Sequence, residues 1–266
     1  MAKQTKKPVK PVVKPFLTGS PMDERTWSGA LSFFGVILMV TVMTFLVCSM
    51  ITMKNDIIRV GLCVAVELLV LFILYNSAIG RGAEGVARGE ILYQRQEKGQ
   101  PFSDSEKAVC FHPLKGYLMA LLGSIPFLIC AILLAVTAHR QTTTIGTLPS
   151  WLSAYQRRSD IGDALVAYTT QTGLTMEDIL RLIVRILIMP FVSMVGAENR
   201  DGLLLLERLS PLILLLPACA YGTGYLQGRQ ERTRIHTGIA ESNRKRVRRE
   251  KKARKARVAK GPEQLN

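Results

Sequence analysis

From residue 29 to residue 53 the chain carries no charged side chain, and its segment LSFFGVILMV (31–40) is as apolar as a membrane-crossing helix requires. A helix needs about 20 such residues to cross a ~30 Å hydrocarbon core. After Lys54, Asn55, Asp56 and Arg59 the apolar pattern resumes over 60–80, broken only by Glu67, so the interval predicts a tight hairpin. A third uncharged run covers 116–138 with Pro126 inside it, which membrane helices tolerate when neighbours satisfy the freed carbonyl. A further run begins at Gly202, is punctured by Glu207 and Arg208, and continues uncharged from 209 to 228.

One segment, 179–197, is weaker: Arg181 and Arg185 share a helix face and Pro190 interrupts it. Its start is legible. Thr175 and Asp178 spell a capping box before the apolar run, although Asp is shorter than the preferred Glu or Gln for the return bond. Residues 139–174 are polar and rich in Thr and Ser. With Trp151 and Tyr155 they read as a small extracytoplasmic cap or an irregular loop.

The charge map sets the direction of the chain. The net charge is +15, but 26–228 is nearly neutral, while 1–25 and 229–260 are strongly basic. Basic residues gather in cytoplasmic flanks and loops, here the amino-terminal arm, the loop 81–115 and the tail. Both ends can face the cytoplasm only if four segments cross. The expected fold is therefore an all-α polytopic membrane protein, with spans near 29–53, 58–80, 116–138 and 203–227 and an interfacial or re-entrant helix over 176–197. It divides into a basic, Pro-rich, disordered arm (1–26), a helical membrane domain (27–228) and a basic tail (229–266). The arm does not read as a cleavable signal, because its basic and apolar parts are both too long.

Glu67 is the most informative single residue, since an ionisable group inside a span is costly and normally faces a partner or a water-filled cavity. Its expected partners are Arg181 and Arg185, as an ion or substrate site or as a structural pair. The apolar residues around it on its helix face, Cys63, Val64, Val70 and Leu71, favour packing. In the tail, Arg244, Lys245, Arg246, Arg248, Arg249, Lys251, Lys252, Arg254, Lys255 and Arg257 make a basic run without aromatic residues. It is polar on every face and is expected to be unstable as a helix unless bound. Beside a membrane such a run is drawn to anionic head groups. RNA, including the ribosome, is the alternative contact, without sequence reading because no stacking side chains are present.

Other patterns carry less. Gly80, Gly82 and Gly85 satisfy the dinucleotide-binding spelling but follow an apolar span rather than a strand. Gly85/Gly89 and Gly224/Gly228 have small-residue spacing, read here as flexible exit turns at helix ends. Cys110 and His112 could supply two metal ligands where a closed zinc site needs four. The five cysteines suggest no disulfide framework, and His139 and His236 have no evident partners. No cofactor and no enzymatic activity are expected. The first reading is a scaffold or accessory protein of the cell membrane that contacts anionic lipid, RNA or other membrane proteins. The second is a transporter or channel component built on an intramembrane Glu/Arg pair.

Overall fold

The computed structural model describes residues 11–51, 55–139, 155, 158–169, 175–196 and 199–259. Among these residues every regular element is a helix: α1 (Glu24–Ser49), α2 (Asp56–Glu97), α3 (Asp104–Ala108), α4 (Lys115–Thr137), α5 (Gly162–Thr169), α6 (Met176–Leu187), α7 (Met189–Val195) and α8 (Arg200–Ala259). Four of them, α1, α2, α4 and α8, are long and apolar enough to cross a membrane. Their apolar side chains point outward more often than inward; only 11% of the most apolar window of α2 is buried. Met39, Leu68, Phe72, Val136 and Leu212 are all exposed, which is compatible with a multi-pass membrane protein. Most of the expected cap, Trp151 included, lies outside the described residues.

Helix α2 does not end where its apolar run ends. Its 42 residues run from Asp56 on to Glu97, so Gly85 and Gly89 are helical rather than exit turns. The tail behaves alike: α8 is one 60-residue helix through Pro211 and Pro217 to Ala259. The helix-forming Ala, Arg, Lys and Glu of the tail extend an existing helix, which avoids the cost of nucleating a new one.

The chain forms two compact units. The first comprises Met1–Gly29, Ile73–Ala120 and Cys219–Asn266. Here α2 and α8 meet along small residues: a side chain on Gly82 would strike Tyr225 and Gly228, and one on Gly224 would strike Tyr75 and Ala78. Of the arm, residues 1–10 lie outside the described residues, and from residue 11 the chain makes backbone bonds within this unit. Leu17 N–H donates to the Gly89 carbonyl (3.2 Å), Gly19 N–H to Phe111 (3.0 Å) and Val12 N–H to Thr237 Oγ1 (3.0 Å). Phe16 closes edge-on against Phe111, which stacks on Tyr225 at 5.3 Å. Backbone bonds and aromatic burial outweigh the arm's extended, proline-rich composition.

The second unit comprises Ala30–Phe72 and Leu121–Ala218. Its core gathers Phe127, Ala131 and Leu134 of α4, Val184 of α6, Ile188, and Leu206 and Leu214 of α8. Phe34 stacks on Phe127 at 5.0 Å. The capping box at α6 is complete: Asp178 N–H donates to Thr175 Oγ1, and Thr175 N–H donates back to Asp178 (3.1 Å). The helix stops at Ile188, and α7 restarts with Pro190 in its first turn, where a missing N–H costs nothing. Neither α6, with 12 residues, nor α7, with 7, reaches the length of a full crossing.

Candidate functional site

In the second unit, α6 sets Glu177, Arg181 and Arg185 one turn apart on one face. That face turns toward α8. Arg181, 4% exposed, donates from Nε to Glu207 Oε1 (3.0 Å), and from its guanidinium to Glu177 (2.5 Å) and the His139 carbonyl (3.0 Å). Arg185 donates to the same Glu207 oxygen at 2.8 Å. His139 Nδ1 lies 2.9 Å from Glu177, a partner the sequence did not suggest.

Glu207 thus occupies the position expected of Glu67. The anticipated ion pair of Glu67 with Arg181 or Arg185 is absent, and among the described residues Glu67 makes no ion pair. It is half-buried on α2. Both carboxylates stand in apolar runs, so position within a run could not discriminate them. What distinguishes Glu207 is its neighbour Pro211, which has no N–H for the Glu207 carbonyl. The buried Ser210 hydroxyl supplies that bond instead (2.7 Å), so the backbone beneath the carboxylate stays satisfied. A Ser-Pro pair just after an acid in an apolar helix was the available signal.

The first unit holds two further buried clusters. Glu90 of α2, 5% exposed, accepts from Arg232 (3.0 Å) and faces His236 Nε2 at 2.8 Å, so His236 has a partner that its sequence surroundings concealed. Lys115 at the start of α4 is 1% exposed and bonds Asp23 (2.9 Å) and the Ala108 carbonyl (3.0 Å). Burial pushes the Asp23 carboxyl upward, but bonds from Thr26 and Lys115 outweigh it and hold the group below its ordinary value. Cys110 and His112 are engaged locally: the Cys110 thiol reaches the Glu106 carbonyl (3.6 Å), and His112 Nδ1 accepts from Leu114 N–H (3.3 Å). Burial pushes the Cys110 thiol up, away from the thiolate a metal would need.

The basic tail residues from Arg244 to Lys255 are exposed along α8, with Arg246 paired to Glu250 one turn on (3.2 Å). Arg257 lies on the same helix with its side chain outside the described residues. No protein family, curated relative or solved structure matches the chain.

Proposed function

We propose that this is a multi-pass protein of the cell membrane that works as an adaptor, presenting the basic end of α8 on the cytoplasmic side to an anionic surface. In this reading α1, α2, α4 and α8 each cross once and both termini are cytoplasmic. Helices α6 and α7 dip into the outer leaflet and return. The outward-facing Met176, Ile179 and Leu182 of α6 support that placement, since they suit lipid while the arginines turn inward.

The single observation that carries the reading is the continuity of α8. One helix joins an apolar run of crossing length to a stretch, Ser242 to Lys255, whose every side chain is exposed. A free basic coil would attract anions; a helix continuous with a membrane anchor also presents the charges at a set reach. The attraction is about 1 kcal/mol per basic residue near an anionic surface. The contact is the head groups of the membrane itself or the acidic face of a partner, RNA included.

Two measurements test this. In intact cells, a membrane-impermeant thiol reagent should modify a cysteine placed at Ser159 and leave one at Ser242 untouched. Labelling at Ser242 would put the tail outside and end the adaptor reading. The reconstituted full chain should then tether phosphatidylglycerol vesicles in a salt-sensitive manner, and replacing the basic residues of 244–255 with Gln should abolish it.

A further inference from the structure

Three arginines of the first unit, Arg25, Arg88 and Arg95, line one open cavity of about 240 Å³. Among the described residues Glu106 is the one acid in its wall. That carboxylate is already in use: Oε2 accepts from Ser103 N–H (3.2 Å) in the capping box of α3, and Oε1 lies 3.6 Å from Arg95. Among the described residues neither Arg25 nor Arg88 makes an ion pair or a side-chain hydrogen bond. The acids near them along the chain do not offset them. Asp23 is bonded to Lys115 and Glu90 to Arg232 and His236, while Glu24, Glu84, Glu97 and Asp104 lie outside the wall. Three guanidinium groups therefore face one shared carboxylate.

Their placement gives the cavity its chemistry. Arg25 is the last charged residue before the uncharged run of α1, and Trp27 beside it is 59% exposed, as aromatic side chains are where hydrocarbon meets head groups. Arg88 stands two turns beyond Arg81, where the apolar run of α2 ends; this is about 10 Å along the helix, near the depth of the phosphate layer. Arg88, Ile91, Leu92 and Arg95 recur on one face of α2, so the guanidinium groups flank an apolar floor that Val109 completes.

We propose that this cavity binds the phosphate of an anionic lipid head group. Arg25, Arg88 and Arg95 hold the phosphate oxygens, and Ile91, Leu92 and Val109 receive the adjoining glycerol and first methylenes. Guanidinium forks match phosphate in geometry and charge, and basic pockets at the cytoplasmic ends of membrane helices suit such head groups. The site deepens the adaptor reading and rests on it for the side of the membrane it faces.

The test uses the full chain with the basic residues of 244–255 replaced by Gln, in a non-ionic detergent at fixed ionic strength. With the tail neutral, failure of this site and failure of the tail to tether vesicles read out separately. Thermal unfolding is followed against dioctanoyl phosphatidylglycerol, dioctanoyl phosphatidylcholine as the zwitterionic control, and inorganic phosphate. A saturable rise in Tm with phosphatidylglycerol, about tenfold weaker or absent with phosphatidylcholine, assigns a lipid head group. Saturation by inorganic phosphate alone assigns a free phosphate to the same arginines. Either supports the site.

Arg25→Gln and Arg88→Gln should each weaken binding about tenfold. Arg88→Lys keeps the charge but loses the fork, and should bind more weakly than the parent and more tightly than Arg88→Gln. Because Arg25 is exposed, Arg25→Gln should leave the ligand-free Tm unchanged, so the test stands even where an Arg88 variant folds poorly. Three results would overturn the proposal: no saturable response to any probe, equal saturable responses to the two phospholipids, or an Arg25→Gln chain that binds like the parent.

Discussion

Glu207 and Glu90 are both buried acids on helices, and each faces two nitrogen-bearing partners, but their surroundings differ. Glu207 sits among Leu203, Leu204, Leu205, Leu206 and Leu209, and its main partner Arg181 has a side chain only 5% exposed. Glu90 sits beyond the apolar run of α2, near Arg88 and Gln94, and its partner Arg232 keeps 28% exposure. Once unpaired, Arg232 can take up water, whereas Arg181 cannot without opening the packing of α6. Equal hydrogen-bond geometry thus hides unequal dependence on the partner, and what decides is whether solvent can replace it.

The largest effect is expected at Glu207. Glu207→Gln removes the carboxylate that Arg181 and Arg185 share, leaving Arg181 with Glu177 and the His139 carbonyl, and should destabilise by about 3–5 kcal/mol, read as a loss of Tm in detergent. Adding Arg185→Gln should restore part of it; strict additivity would break the network assignment.

Asp23→Asn ranks next, at about 2–3 kcal/mol near neutral pH, because Lys115 keeps its two carbonyl acceptors. Here the effect should depend on pH. The folded-state value of Asp23 lies below its ordinary 3.8, so its contribution is fully present above that value and is lost as pH falls through the lower, folded one. Denaturation of parent and variant should therefore differ at pH 7 and converge in strong acid. A constant difference across that range would remove the ion pair from the account.

Glu90→Gln should cost less, about 1–2 kcal/mol, because Arg232 can be hydrated. A loss equal to that of Glu207→Gln would erase the contrast between the two sites. The smallest effect belongs to Glu67→Gln, expected within about 0.5 kcal/mol of the parent in a thermal scan, since no ion pair is lost. A large loss there would restore Glu67 as a partner of some group outside the described residues.

Several elements were legible from local pattern alone. The four apolar runs coincide with α1, α2, α4 and α8, and Thr175 and Asp178 mark the start of α6. The ends of α2 and α8 were less so, because glycines read one at a time suggest turns. Their role here is to let two helices approach at Gly82, Gly224 and Gly228, which depends on the facing helix. The arm shows the same limit, since proline and lysine indicate an extended chain but not that Gly89, Phe111 and Thr237 wait to receive it.

By itself, then, the sequence determined how many helices are apolar enough to cross a membrane, where the basic charge accumulates, and that 176–197 breaks near Pro190. Each depends on residues close together along the chain, through run length, capping and charge density. Only the tertiary structure decided that Arg181 meets Glu207 rather than Glu67, that His236 meets Glu90 across 146 residues, and that Arg25 lines one cavity with Arg88 and Arg95. A buried charge always requires a partner, but which one it finds depends on the faces two helices turn to each other, and residue order does not encode that face locally.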